Sequence, residues 1–239
     1  LDGAGAFGLR LTAAQLAEFE AHAVALRVWS RRLNLTRILS QEDIVRLHFL
    51  DSLACLAVIP ASPGLRIMDV GTGAGFPGIP LKIACPDLRL TLLEASRRRV
   101  AFLELLVDAL RLDVEVVHGR AEIVGHRPDH RERYDLVVSR ATARLDRLVH
   151  LCFPFIRVGG VAIFPKGPRV ADELAAAATA IEIVGGEVEG VRPVTIPGLG
   201  RHRRSLVVLR KARPTPDRFP RRSIGARSLR RDRRGSTAR

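Results

Sequence analysis

Cysteine is scarce in this chain: Cys55, Cys85 and Cys152 make an odd number with no close pair. That excludes a disulfide framework or a zinc knuckle, and predicts a reduced, cytoplasmic protein that holds no metal. Long apolar runs are missing as well. The longest, Ser52–Pro60 and Val158–Pro165, fall well short of the roughly 20 residues a membrane-spanning helix needs. Leu1–Leu9 has no basic region followed by an apolar block, so the chain as given shows no secretory signal. Aromatics are only 5% of the residues, yet an apolar share of 47% leaves enough Ala, Val, Leu and Ile to fill a core. A length of 239 residues suits one α/β domain with a modest appendage.

Lysine is nearly absent too. Lys82, Lys166 and Lys211 are the only lysines among 39 basic residues, and the net charge is +14. Residues 213–239 hold ten Arg against Asp217 and Asp232, and so carry +8 of that total. A solvated basic surface attracts polyanions through phosphate neutralisation and counterion release, which makes nucleic acid the leading partner. The tail has almost no apolar periodicity, so residues 213–239 read as an RNA-binding arm that stays mobile until phosphates order it. Phe219-Pro220-Arg221-Arg222 is the stretch expected to be ordered, because Phe219 offers a surface for the core or a base to stack on.

From Leu11 to Ile59 apolar residues recur at helical spacing, with Thr12 and Ser40 placed as N-caps of two helices joined by Asn34–Ser40. Beyond Pro60, short apolar runs alternate with helical segments: Arg66–Val70, Leu88–Glu94, Val114–Val117, Tyr134–Ser139 and Gly160–Pro165. That alternation predicts a parallel sheet covered by helices on both faces. Glu187–Ile196 and Ser205–Lys211 follow without a long helix between them, which predicts an antiparallel pair at one edge.

The first of these strands runs into Gly71-Thr72-Gly73-Ala74-Gly75-Phe76-Pro77-Gly78 and then an apolar helix from Ile79 to Ala84. Missing side chains there let a ligand pack against backbone amides at the carboxyl end of a strand, the usual ligand position in open α/β sheets. Gly73, Gly75 and Gly78 also satisfy the dinucleotide fingerprint, a weak pattern by itself. Asp69, just before the glycines, tilts the choice: a carboxylate there repels a pyrophosphate but attracts the ammonium and sulfonium of adenosylmethionine. Glu94, at the end of the next strand, can accept hydrogen bonds from both ribose hydroxyls and supports an adenosine ligand of either kind.

These residues resemble a known family. Gly71–Pro80 (GTGAGFPGIP), preceded by Asn34-Leu35-Thr36 and His48-Phe49-Leu50-Asp51-Ser52 and followed by Ser139-Arg140-Ala141, Pro165-Lys166-Gly167 and Arg204-Ser205-Leu206-Val207-Val208, is similar to the glucose-inhibited division protein B family. The resemblance runs from about Trp29 to Lys211. It implies a Rossmann-like, class I S-adenosylmethionine-dependent methyltransferase with a seven-stranded, mostly parallel sheet. Together with the helical periodicity before Pro60 and the composition after Arg213, it divides the chain into a helical cap (1–60), the methyltransferase domain (61–212) and an Arg-rich flexible tail (213–239). It also implies methylation of N7 of a guanine in small-subunit (16S) ribosomal RNA, with the RNA or the 30S particle as partner; a monomer is the expectation, although the sequence itself does not give the oligomeric state. Carried over residue by residue, cofactor contacts fall on Gly71, on Phe76 beside the adenosine, on Ala121 and Glu122 after the third strand, and on Arg140. Asp69, Gly73, Gly75 and Glu94 complete the expected cofactor set.

What the sequence omits bears on mechanism. Enzymes that methylate exocyclic amines often carry Asn/Asp-Pro-Pro-Tyr/Phe after the fourth strand, where this chain reads Ser139-Arg140-Ala141-Thr142. Methylation at C5 of a pyrimidine needs a cysteine nucleophile, whereas all three cysteines sit in apolar or helix-end settings that suit core thiols. N7 of guanine has an in-plane lone pair and no proton to lose, so direct in-line transfer needs alignment and no general base. Arg140 and Lys166, at the strand ends, suit orientation of guanine O6 or of RNA phosphates. Two rivals keep different predictions: an NAD-dependent oxidoreductase lacks an evident acid/base pair here, and a non-catalytic RNA-binding module would not bind adenosylmethionine.

Overall fold

The computed structural model describes residues 1–60, 62–140, 143–199 and 204–221. The expected strands form: β1 (Arg66–Val70), β2 (Arg89–Glu94), β3 (Val114–His118), β4 (Tyr134–Val138), β5 (Ile156–Lys166), β6 (Gly186–Val194) and β7 (Arg204–Lys211). They make one seven-stranded sheet in the order β3-β2-β1-β4-β5-β7-β6. Strands β1 to β5 are parallel, and β7 runs antiparallel to both β5 and β6, so the predicted edge pair is present. Its apolar strands are buried on both faces, as parallel sheets require. The order reverses between β1 and β4, and that switch point opens a crevice beyond the carboxyl ends of the strands.

Among the described residues, eight α-helical segments flank the sheet. The N-terminal cap holds α1 (Ala13–Leu33), α2 (Gln41–Asp43) and α3 (Asp51–Leu53); α4 (Gly78–Ala84), α5 (Arg97–Ala109), α6 (Ala121–Val124), α7 (Leu145–Cys152) and α8 (Val170–Ile183) follow the strands. Thr12 caps α1 in a reciprocal box with Gln15, and the Ser40 hydroxyl caps α2 by accepting from the Asp43 amide. Between α2 and α3 the helix widens into a π segment, Ile44–Leu50, which carries His48 and delivers the chain to Asp51. Such widened turns are frequent at functional sites. Phe19, Leu26, Ile44, Phe49 and Leu53 bury the cap against the sheet face that also carries α4 and α5. A second core, on the other face, joins α6, α7 and α8.

The structure corrects the start of the tail. The segment 213–218, expected to be part of a mobile arm, is docked together with the Phe219-Pro220-Arg221 stretch expected to be ordered: Phe219 is 1% exposed and stacks on the core, on His150 of α7, with ring centroids 5.0 Å apart. Arg131 donates to the carbonyls of Thr215 and Phe219 at 2.7 and 2.8 Å, and the Thr215 hydroxyl donates to the Val184 carbonyl at 2.8 Å. One buried aromatic ring and satisfied carbonyls offset the ordering cost that charge composition alone suggested. Arg222 and the rest of the arm, with Ala141 and Thr142 of the Ser139–Thr142 motif, lie outside the described residues.

Candidate functional site

The glycine loop is shaped by its own backbone. Gly71, Gly73 and Gly75 have φ of 71°, 63° and 91°, a region that disfavours any side chain. A Cβ at Gly78 would stand 2.6 Å from Leu92 Cδ2 and 3.0 Å from Asp69 Oδ2, so close helix–strand packing also demands glycine there.

Asp69 lies wholly buried beneath this loop. Its Oδ2 accepts from the Thr72 hydroxyl at 2.7 Å and the Gly78 amide at 2.8 Å, while Oδ1 has no hydrogen-bond partner among the described residues. Burial pushes its pKa up to about 6, against the pull of those two bonds and the Arg140 charge. The carboxylate therefore shapes the loop from below. Glu94, also buried, accepts from the amides of Gly73 at 3.0 Å and Ser96 at 2.8 Å, tying the loop to the end of β2. Each oxygen keeps one further acceptor position.

Two cavities open beside the loop. The first, about 210 Å³, is bounded by Val70, Gly71, Leu93, Gly119, Ala121, Glu122 and, from α7, Arg147, Leu148 and Leu151. The second, about 520 Å³, lies between the cap and the ends of β4 and β5, with His48, Asp51, Arg140, Arg144, Lys166 and Arg204 in its walls. Ala143 belongs to both.

The second cavity is lined by a connected polar network. Asp51 is 4% exposed and receives Arg140 Nη1 on one oxygen and Arg204 Nε on the other, each at 3.0 Å. Arg140 also donates to the Leu47 carbonyl at 2.9 Å and to His48 Nδ1 at 3.0 Å. Because guanidinium only donates, His48 Nδ1 must accept, and its Nε2–H donates to Thr36 Oγ1 at 3.0 Å. Burial and the neighbouring Arg140 push the His48 pKa down to about 3, so it is neutral with both nitrogens engaged. Lys166 Nζ donates to the Ala143 carbonyl at 3.1 Å and to Glu173 at 2.8 Å.

Of the residues expected from sequence, Gly71, Ala121 and Glu122 line the first cavity, and Arg140 and Lys166 line the second. Arg140 thus lines the second cavity rather than the first, and its carboxylate partner is Asp51. Gly73, Gly75, Asp69 and Glu94 build the loop and its supports. Phe76, expected beside an adenosine, is 5% exposed and packs near-parallel against His22 and His48, with centroids 4.8 and 4.5 Å away. His22 holds the loop again by a 3.1 Å bond between Nε2 and the Ala74 carbonyl. Sequence reading passed over His22, Arg204 as a charge partner and Glu173. Arg204 stood inside a quoted motif, but nothing in one dimension paired it with a residue some 150 positions away.

A family model described as rRNA small subunit methyltransferase G matches residues 15–207. The ribosomal RNA small subunit methyltransferase G of Roseiflexus sp. strain RS-1 is 48% identical, over 92% of this chain and 94% of that protein. The protein of the same name from Alkaliphilus oremlandii is 42% identical, over 93% of each. Among solved structures, a chain from a complex between a methyltransferase activator and a methyltransferase of Haloferax volcanii superposes with a TM-score of 0.59 at 15% identity, covering 79% of this chain and 98% of that one. Geranyl diphosphate C-methyltransferase from Streptomyces coelicolor gives 0.51 at 14% identity, over 67% and 78%. At these identities the structural likeness speaks for the fold alone.

Proposed function

The chain belongs to the rRNA small subunit methyltransferase G family, and from that membership we propose that it methylates N7 of a guanine in small-subunit ribosomal RNA. S-Adenosylmethionine is the methyl donor. The observation that carries the placement is the shared wall: the two cavities meet at Ala143, just beyond β4. The first takes the adenosine of the donor and the second takes the guanine.

The first cavity fits the donor on its own features. Gly71 brings side-chain-free backbone to the wall, and Leu93, Leu148 and Leu151 offer apolar contact to a purine. Glu122 in the wall and, next to the wall residues Leu93 and Ala95, the open acceptor positions of Glu94 suit its hydroxyl and amino groups, and Asp69 Oδ1, without a partner among the described residues, adds negative charge beneath the loop. When bound, the donor supplies an electrophilic methyl group on a cationic sulfur.

The remaining chemistry belongs to this chain's residues. N7 presents a lone pair and carries no proton, so the site needs alignment and exclusion of water, and no general base. Arg140 is clamped by Leu47, His48 and Asp51, a rigid donor suited to guanine O6. Lys166, held by Glu173 and the Ala143 carbonyl, keeps one N–H for the base or a phosphate. His48 is excluded as a base by its low pKa and its occupied nitrogens. Arg144 and Arg204 at the cavity wall suit the RNA backbone. On this reading the protein acts in the cytoplasm, as a monomer and without a metal, on the RNA or on the assembled small-subunit particle. Incubating it with unmodified small-subunit RNA and particles and labelled donor should give 7-methylguanine at one position. Label recovered in a pyrimidine, or none in either substrate, would refute the assignment.

A further inference from the structure

The docked segment 213–221 sits behind the walls of the first cavity. Pro220 packs against Gly125, the residue that ends α6, so closely that a Cβ at Gly125 would stand 2.9 Å from Pro220 Cγ. His126 Nε2 meets the Pro220 carbonyl at 2.8 Å. Arg131 ties the same corner together, donating to Gly125, Thr215 and Phe219 carbonyls at 3.0, 2.7 and 2.8 Å. The Glu132 carboxylate accepts from the Thr215 amide at 2.9 Å and from the wholly buried Lys211 ammonium at 2.6 Å. Phe219 reaches α7, stacking on His150.

Both contacted helices contribute to the cavity. Ala121 and Glu122 come from α6, and Arg147, Leu148 and Leu151 from α7. We propose that residues 213–221 form a positioning strap that sets α6 against α7, so that strap docking and adenosylmethionine binding are energetically linked. The proposal rests on the reading of the first cavity as the donor site. Helix α6 spans four residues, too short to hold its own place. Packing from the strap supplies that order. Linkage is reciprocal: a ligand that needs the docked arrangement must also favour docking, by the same factor.

Phe219 and its neighbours are positioning residues, since none touches the donor or the reacting atoms. The full-length protein and its Phe219→Ala and Phe219→Leu variants should be titrated with S-adenosylhomocysteine by calorimetry and assayed for methylation. Phe219→Ala should weaken binding about 10-fold and raise KM for the donor alike. Its kcat at saturating donor should stay within about twofold, and Phe219→Leu should recover most of the affinity. Wild-type protein supplies a second readout. Trypsin cleavage at Arg218–Phe219 requires the strap to leave its seat, and saturating S-adenosylhomocysteine should slow it about 10-fold. Arg89–Leu90, held in strand β2 between its neighbours in the sheet, reports global unfolding and should be cut later than Arg218–Phe219. Equal affinity in wild type and Phe219→Ala, or an Arg218 cleavage rate indifferent to ligand that calorimetry shows bound, would overturn the strap. A wild-type protein that fails to bind S-adenosylhomocysteine would instead overturn the reading of the cavity, and the strap with it.

Discussion

Replacing Asp69 with asparagine separates two roles of one buried carboxylate. In the folded protein its pKa is pushed up to about 6 from an ordinary 3.8, chiefly by burial. Each pKa unit corresponds to about 1.4 kcal/mol, so ionising Asp69 costs about 3 kcal/mol more in the native state than in the unfolded chain. Below pH 4 both states hold the proton and the group imposes no penalty. Between pH 4 and 6 the unfolded chain releases its proton first, so stability from this group falls as pH rises and levels off above the folded pKa. Asparagine keeps an oxygen for Thr72 and Gly78 but puts an NH₂ where Oδ1 has no partner, at a cost of about 1–3 kcal/mol. The variant should therefore be less stable than wild type at pH 4. At pH 7.5 the two should be about equal, or the variant slightly ahead. Urea unfolding of both proteins at four pH values, with unchanged m, isolates the difference. A stability difference that stays flat within about 0.5 kcal/mol from pH 4 to 7.5 would refute the buried, penalised carboxylate. The same substitution should weaken donor binding, because the negative charge beneath the loop is gone.

Asp51→Asn leaves Arg140 and Arg204 sharing one neutral acceptor, and should cost about 2–3 kcal/mol in urea unfolding, less than a fully buried pair because Arg204 is partly exposed. It should raise KM for RNA and leave KM for the donor unchanged; the opposite split would place the network on the donor side. Gly78→Ala should lower Tm by overpacking against Leu92 and Asp69, about 1–3 kcal/mol, and an unaltered Tm would contradict the close approach. Glu94→Ala should weaken S-adenosylhomocysteine binding by about 1–3 kcal/mol in calorimetry, both through a lost ribose acceptor and through a freed Gly73 amide. Cys55→Ala and Cys152→Ala should keep methylation activity, because burial pushes both thiols up and away from the thiolate form. A trapped covalent enzyme–RNA adduct would count against that.

Much of the fold was legible because local pattern and global architecture agree. Alternating strand and helix signals from Arg66 onward set a parallel sheet, and the absence of a helix between β6 and β7 marked the antiparallel edge. Thr12 and Ser40 announced helix starts because a hydroxyl that accepts from amides a turn ahead is a local event. The glycines declared their loop for a similar reason, since a φ above +60° at Gly71, Gly73 and Gly75 is a property of single residues. The family motifs located Arg140 and Lys166 at strand ends.

Partner choice was decided only in three dimensions. Charge type does not say which carboxylate an arginine meets, and Arg140 found Asp51 of the cap because the π segment carries that face over β4. Phe76 sits in the loop by sequence but stacks into the cap, because two buried histidine rings compete for its surface. Composition assigned residues 213–221 to a solvated arm, since the ten arginines of 213–239 dominate an average taken over the whole tail. One phenylalanine seated on His150, and one arginine collecting three carbonyls, hold the segment in place instead. Sequence averages weigh charge by number, whereas packing weighs each side chain by the water and chain freedom it removes.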